Sequence, residues 1–393
     1  MLPPGWSSGA GAGAVVALLR DGRPRTRSEL VALTGMSRSV VARRVDALLQ
    51  AGWVTATGGS RSDGGRGPSR IAFDASTGAV LSVLLDTTSA RLGVTDLSGR
   101  VLAERVVDLE GRDGPEEVLA RVVALGRALL ARSVGAGARL AGVGLGVPGP
   151  VERTTGRPLG PCPTPEWEGF DVAGRLRQDL GPVVAVDSAM NVAVLGERFT
   201  GFRGVENLVL VRVGDHIGCG IISGGVLWRG ARGGAGDLGH VRVNGSDRVL
   251  CGCGSVGCLE AVAGGEAVAA RLAARGHDVR TSRDVAALAR EGDPDVLTEL
   301  RVAGRHLGEA LADVVGLLNP AVIVVGGALV DPALHLLAGV REVVYGRSSS
   351  LATRHLRIVP TGHSEGAGLV GAAVMVIEQL LDPGEVDRSL TWD

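Results

Sequence analysis

Three cysteines and one histidine of this 393-residue chain are spaced to bind a single metal ion. Cys251, Cys253 and Cys258 lie within eight residues, and ten residues separate the first of them from His240. Thiolate and imidazole groups suit zinc, and four of them complete its tetrahedral shell. Because no position would remain for water, we expect a structural ion rather than a catalytic one. The alternatives are a disulfide with one spare thiol, or three reduced cysteines without a role.

The segment around these ligands resembles a known family. HVRV followed by CGCGSVGCLE is similar to the zinc element of the ROK family, which contains bacterial sugar kinases and sugar-responsive transcriptional repressors. The resemblance covers about residues 76–385. It implies an α/β fold of two lobes, actin-like and ribonuclease H-like, as in the sugar kinases, with a structural zinc site.

The phosphate-binding loop of the family kinases is not recognisable here. That loop reads Asp-x-Gly-Gly-Thr, and its glycines let backbone amides approach the nucleotide phosphates. The resemblance aligns it with LLDTT, which begins at Leu84, and an alignment that begins at Asp86 gives DTTSA. Neither version contains a glycine. We therefore expect no triphosphate to bind at this loop.

The catalytic base of the kinases is also replaced. Family kinases carry Asn-Asp-x-Asn before a helix with Leu-Gly-Glu, and the aspartate accepts the proton of the sugar hydroxyl. Counting back from the LGE of this chain places Ser188 at the asparagine and Ala189 at the aspartate. Alanine cannot accept a proton, and we expect the strand-to-helix turn to aim Asp187 elsewhere. An ATP-dependent sugar kinase is thus the disfavoured alternative, and we predict no enzyme activity.

Part of the sugar pocket remains by resemblance. The family holds sugar hydroxyls with the Glu and His of Glu-x-Gly-His and with the Glu after the last zinc cysteine, and the matching residues are Asp237, His240 and Glu260. His240 could bind zinc through one ring nitrogen and face the ligand with the other. Trp167, in the specificity loop, could stack on a sugar or merely cover its lobe. We predict a sugar or sugar-phosphate effector; a site that has drifted or been lost is the alternative.

Two short predicted helices precede the family region. SELVALTG is predicted to run from an N-cap at Ser28 to a stop at Gly35, and a second helix from Ser37 to about Gln50. The helices are joined by a turn that contains glycine, as in a helix-turn-helix. Strands WVTAT and RIAFD around a basic, glycine-rich loop then predict a wing. The buried face of the second helix is predicted to hold Val40, Val41, Val45, Leu48 and Leu49.

The charge of this N-terminal part favours DNA. Residues 1–75 contain ten arginines and five acids, whereas the whole chain has a net charge of −1. We predict that a homodimer or homotetramer binds a palindromic double-stranded operator, with the second helix in the major groove. A protein-interaction module or a scaffold without DNA binding is the alternative. The predicted DNA contacts are Ser37, Arg38, Ser39, Arg43, Arg44, Arg61, Arg66 and Arg70.

The remaining pattern alternates strand pairs and helices in two similar halves, which is typical of an α/β architecture with a central cleft. We expect the winged helix-turn-helix at 1–75, a first lobe at 76–190 and a second lobe at 191–393, whose C-terminal helix returns to the first lobe. The second half is expected to contain helices at 261–275, 283–317 and 366–381.

Composition excludes some classes of protein. At 393 residues and 45% hydrophobic content, the chain can bury a large core. No run of 18 apolar residues predicts a membrane span, and no basic residue precedes the first apolar patch as in a signal peptide. Zinc-spaced cysteines fit a reducing compartment. We expect a cytoplasmic protein.

Overall fold

An N-terminal unit of three helices and a small sheet begins the computed structural model, which describes residues 11–58, 69–109, 113–135, 139–160, 165–181, 183–330, 334–362 and 366–390. The three short strands pair in the order β1-β3-β2, with Val54 opposite Phe73. The elements are α1 (Ala12–Leu19), β1 (Arg25–Thr26), α2 (Arg27–Thr34), α3 (Arg38–Gln50), β2 (Val54–Thr57) and β3 (Arg70–Phe73).

The helix-turn-helix has one start that differs from the prediction. Helix α2 is capped by Thr26 and not by Ser28, because Thr26 and Glu29 form a reciprocal capping box. The helix ends at Gly35, whose φ of 70° is left-handed, as predicted. Ser37 caps α3 by accepting a hydrogen bond from the amide of Val40.

The first lobe is a five-stranded mixed sheet in the order β6-β5-β4-β7-β8. Its first three strands are antiparallel neighbours, and β4, β7 and β8 run parallel. Helix α4 packs against β5 and β4, while α5 packs against β7 and β8. The elements are β4 (Gly78–Leu85), β5 (Ser89–Asp96), β6 (Val101–Asp108), α4 (Pro115–Ser133), β7 (Arg139–Val147), α5 (Val172–Leu180), β8 (Val184–Ser188) and α6 (Ala189–Thr200).

The second lobe repeats this plan with a sheet in the order β11-β10-β9-β12-β13. The strands β9, β12 and β13 are parallel, and β10 is antiparallel to β9. The elements are β9 (Leu208–Val213), β10 (Ile217–Ser223), β11 (Val226–Leu227), α7 (Leu259–Ala263), α8 (Gly265–Ala273), α9 (Ser282–Glu291), α10 (Pro294–Leu318), β12 (Val322–Gly326), α11 (His335–Arg347), α12 (Ser350–Thr353), β13 (Arg357–Pro360), α13 (Gly366–Leu380) and α14 (Pro383–Ser389).

Two predicted helices of this lobe are each divided. The helix expected at 283–317 breaks at Gly292, whose φ is 84°, and Asp293 caps the amides of Asp295 and Val296 to restart it as α10. The helix expected at 261–275 breaks at Gly264. Helices α11 and α14 and strand β13 were not foreseen, because their apolar positions are interrupted by polar residues.

Helix α13 connects the parts of the molecule. It lies on the first-lobe sheet and packs lengthwise against α6, where glycines bring the backbones together. A Cβ atom at Gly196 would lie 1.7 Å from the carbonyl oxygen of Ala367, and one at Gly371 would lie 1.9 Å from that of Val192. Helix α14 continues from α13 and packs on α1. One hydrophobic cluster therefore includes residues of α1, α3, α13 and α14.

No single helix in the described part of the chain has the length and apolar character to cross a membrane. Only α13 and α14 taken together meet these criteria, across a bend of 59°.

Candidate metal centre and interlobe cleft

The four predicted metal ligands lie together. The ligand atoms of His240, Cys251, Cys253 and Cys258 are all within 4.8 Å of one another. Cys251 Sγ is 3.7 Å from His240 Nδ1, and Cys253 Sγ is 3.7 Å from Cys258 Sγ. Ligands at about 2.3 Å from a tetrahedral zinc ion would be separated by about 3.8 Å. The spacing and the donor set fit such an ion.

The loop around these ligands holds them without a disulfide. The sulfur separation of 3.7 Å is well beyond the ~2.05 Å of a disulfide bond, and all three cysteines are free. Hydrogen bonds from the Ser255 amide and hydroxyl lower the pKa of Cys253 to about 6. Metal binding needs thiolates, so this loop favours the ligand form of Cys253.

Glu260 follows the last cysteine and is fully engaged by its own chain. Its Oε1 lies 2.7 Å from His216 Nδ1, and its Oε2 accepts a hydrogen bond of 2.8 Å from the amide of Ile217. Burial raises the pKa of the Glu260 carboxyl, but these two bonds more than offset it, so the pKa lies below its ordinary value. The same contact raises the pKa of His216.

His216 was missed in the sequence, although it interrupts the glycine-rich GDHIGCG between two strands. The other two predicted ligand contacts lie on a short turn before the metal loop. Asp237 precedes the 3-10 turn Leu238–His240 and is exposed. The closest cysteine contact of His240 uses Nδ1, which leaves Nε2 on the other side of the ring.

Asp187 is buried at the end of β8 and forms an ion pair between the lobes. Its Oδ1 accepts hydrogen bonds from the Ser188 amide at 2.8 Å and from Asn191 Nδ2 at 2.7 Å. Its Oδ2 accepts one from Arg229 Nε at 2.6 Å. Arg229 comes from the second lobe, just after β11. Because both oxygens of Asp187 are occupied and its side chain is 5% exposed, Asp187 is not placed to act as a base.

The positions of the kinase machinery have ordinary structural roles. Ser188 caps α6 by accepting from the amide of Asn191 at 3.1 Å, and Ala189 is the first residue of that helix. The DTTSA segment forms a tight turn between β4 and β5, in which the Asp86 amide bonds the carbonyl of Ser89 at 2.8 Å. Across the cleft, Arg212 lies 3.7 Å from Asp86.

Trp167 lies in the first-lobe core. It is 5% exposed and its ring is tilted against that of Phe170, with 6.5 Å between the centroids. The structure thus places it as a residue that covers the lobe, the alternative to a stacking surface for sugar.

The predicted DNA face is partly described. Ser37, Arg38, Ser39 and Arg43 are exposed along the start of α3, and Arg44 is half-buried. Arg70 is exposed and donates to the carbonyl of Pro24 at 3.1 Å. Arg61 and Arg66 lie outside the described residues.

Comparison with known proteins places this architecture. The ROK family model matches residues 80–379, about three quarters of the chain. The chain belongs to the ROK family. A putative xylose repressor of Caldicellulosiruptor sp. is 28% identical, and the match covers 93% of this chain and 95% of that protein.

Two solved structures share the fold to different extents. A ROK family transcriptional regulator, a homolog of the E. coli MLC protein, has a TM-score of 0.81 at 24% identity and covers 95% of this chain and 96% of its own. A ROK glucokinase from Streptomyces griseus, solved with glucose and AMPPNP, has a TM-score of 0.64 at 28% identity and covers 76% of this chain and 99% of its own. The kinase thus matches a smaller part of this ROK protein than the regulator does.

Proposed function

We propose that this ROK protein is a transcriptional repressor that binds double-stranded DNA through its N-terminal unit and releases it when a small sugar-like effector binds between the lobes. The observation that carries this proposal is the winged helix-turn-helix packed on a ROK domain. The similar xylose repressor spans 93% of the chain, whereas the S. griseus glucokinase spans 76%. Such a repressor would act in the cytoplasm.

The DNA interface would be the exposed side of α3. Arg38 and Arg43 are exposed and form no ion pair with another described residue. Their guanidinium groups are therefore available for phosphates or guanine edges. Ser37, Ser39 and Arg44 would extend this face, and Arg61, Arg66 and Arg70 would contact the DNA from the wing. Because one such unit binds weakly, we propose a homodimer or homotetramer on a palindromic operator.

The proposed units are the winged domain at 1–75, the first lobe at 76–190 and the second lobe at 191–393, and helices would couple them. Helix α6 begins beside Asp187 in the cleft and contacts α13 through backbone. Helix α14 then holds α1: the amide of Gly13 donates to Asp387 Oδ1 at 3.1 Å. A change in lobe angle would thus move the DNA-binding unit, which is a coupling between two sites.

Zinc would be the structural ion of the second lobe, held by His240, Cys251, Cys253 and Cys258. It would fix the loop that carries Asp237, His240 and Glu260, the proposed effector-side groups, while Trp167 would act from the core. One zinc per chain is expected by metal analysis, with loss of the metal in Cys253→Ser. A wild-type protein purified without metal and fully folded would contradict this role.

We further propose that the domain has no kinase activity, because Ala189 offers no proton acceptor and the β4–β5 turn has no glycine. A coupled assay of ATP consumption over a panel of sugars tests this. Turnover above that of a protein-free control would contradict it.

The DNA-binding function is tested by selecting genomic fragments with the purified chain. We expect one or a few fragments to be enriched, and Arg38→Ala/Arg43→Ala to bind them at least ~100-fold more weakly, since each lost charged contact is worth ~1.5–3 kcal/mol. The control Arg121→Ala/Arg354→Ala removes the same charge from exposed positions of the two lobes. Equal binding by both double variants would contradict the proposed interface.

A further inference from the structure

Two carboxylates of the interlobe cleft are turned toward their own chain. Glu260 uses both oxygens on His216 and Ile217, and Asp187 uses both on Ser188, Asn191 and Arg229. A third acid of the region, Asp215, accepts from the amide of Ser282 at 2.8 Å. In a site that reads neutral sugars, such carboxylates would accept hydrogen bonds from hydroxyls. Here these bonds are already made.

The outer atoms of the two pairs are nitrogens. Arg229 is fixed through Nε, and its Nη1 and Nη2 groups have no partner among the described residues. His216 is fixed through Nδ1, and its Nε2 likewise has none within the described ranges. The side chains of Arg229 and His216 are 31% and 45% exposed, so these nitrogens can be reached by solvent.

Both pairs lie at the same meeting of the lobes. Gly218 follows Ile217, the partner of Glu260, and a Cβ atom at Gly218 would lie 2.5 Å from Cγ of Met190. Met190 is the second residue of α6, which begins directly after the Asp187–Ser188 strand end. The two carboxylate-held cations therefore line one region of the cleft.

We propose that Arg229 and His216 are the specificity-determining contacts of the effector site, and that the effector is an anionic sugar, with a phosphate or carboxylate group, rather than a neutral one. The guanidinium group of an arginine held at Nε presents two parallel N–H donors that match such a group. Glu260 raises the pKa of His216, which favours the imidazolium form with a donor at Nε2. Glu260 and Asp187 are then positioning residues. This inference rests on the proposed function of the cleft.

Calorimetry with the full chain tests the proposal with matched ligands: glucose against glucose 6-phosphate and glucuronate, xylose as a second neutral sugar, and inorganic phosphate alone. We expect at least one anionic sugar to bind about tenfold or more tightly than its neutral partner, since a charged hydrogen bond contributes that much. The phosphate and carboxylate arms distinguish the two anionic sources. Equal binding of neutral sugars, binding of inorganic phosphate as tight as that of the sugar phosphate, or no binding of any anionic sugar would overturn the proposal.

Variants assign the effect to the two residues. Arg229→Gln leaves a buried carboxylate without its partner, so Asp187→Asn/Arg229→Gln is the second variant, which keeps the pair neutral. We expect this double variant and His216→Gln each to lose about tenfold or more of the preference for the anionic sugar. The control Arg354→Gln, on the far side of the second-lobe sheet from β11, should retain it. Preference unchanged in the folded double variant and in His216→Gln would refute the assignment.

Operator binding without sugar is measured separately on the same proteins. Its absence would contradict the repressor function, whereas intact operator binding with no anionic preference would contradict only this inference.

Discussion

The contacts across the cleft are polar, whereas the path from the cleft to the DNA-binding unit is apolar and close-packed. Across the cleft, Asp187 pairs with Arg229 at 2.6 Å and Asp86 lies 3.7 Å from Arg212. We call these the cleft pairs. In the helix junction, formed by α6, α13, α14 and α1, glycines bring backbones into contact. Ion pairs can exchange with water or a ligand, but packed backbones cannot separate without opening a void. The first arrangement suits a contact that opens, and the second suits one that transmits.

The largest effect is expected in the helix junction, at Gly371→Val. The added Cβ would lie 1.9 Å from the carbonyl oxygen of Val192, so α13 must move away from α6. We expect a loss of about 3 kcal/mol or more, visible as a lower thermal midpoint. Gly316→Val is the matched control, because nothing lies within 4 Å of its Cβ in α10. Similar midpoints for the two variants would refute the close packing.

The next effect concerns the buried cleft pair. Arg229→Gln should destabilise the protein by about 1–3 kcal/mol, less than a fully buried pair because Arg229 is 31% exposed. Adding Asp187→Asn should recover part of the loss, since the unpaired carboxylate is then removed. Thermal midpoints of the single and double variants measure this. A double variant less stable than Arg229→Gln would mean that Asp187 is not held by Arg229.

A smaller effect is expected where α14 meets α1. Asp387 accepts from the Gly13 amide near the start of α1, a helix whose N-cap makes no side-chain bond. Asp387→Ala should therefore cost about 1 kcal/mol. Because α1 belongs to the DNA-binding unit, we also expect weaker coupling between effector and operator, measured as operator affinity with and without effector. Unchanged stability and coupling would remove α14 from the path.

The smallest effect is expected for the exposed cleft pair. Arg212 and Asp86 are both about half exposed and 3.7 Å apart, so Arg212→Gln should change stability by less than about 0.5 kcal/mol. A loss as large as that of Arg229→Gln, measured in the same thermal assay, would contradict the ranking of the two cleft pairs.

The metal loop and the helix-turn-helix could be predicted because their signals are local. Cysteine spacing fixes a ligand set, and glycine at 35 stops a helix whatever packs around it. The cap at Thr26 was missed because its capping box begins before the apolar pattern. The breaks at Gly264 and Gly292 were missed because helical periodicity continues across them.

Contacts between distant segments could not be predicted. His216 with Glu260 joins residues 44 apart, and Gly13 with Asp387 joins residues 374 apart. Nothing in GDHIGCG or PGEVDRS identifies these partners. The burial of Trp167 likewise depends on the first-lobe core. The effector-side chemistry of the cleft therefore emerged only from the fold.

The salt dependence of operator binding tests the central claim, that a kinase-like domain here carries a DNA-binding unit. Anisotropy titrations of a selected fragment between 50 and 200 mM salt should give a steep negative slope of log K against log salt. In Arg38→Ala/Arg43→Ala the slope should be shallower by about 2, one for each lost phosphate contact. The Arg121→Ala/Arg354→Ala control should keep the wild-type slope. A double variant with wild-type affinity and slope would contradict the account.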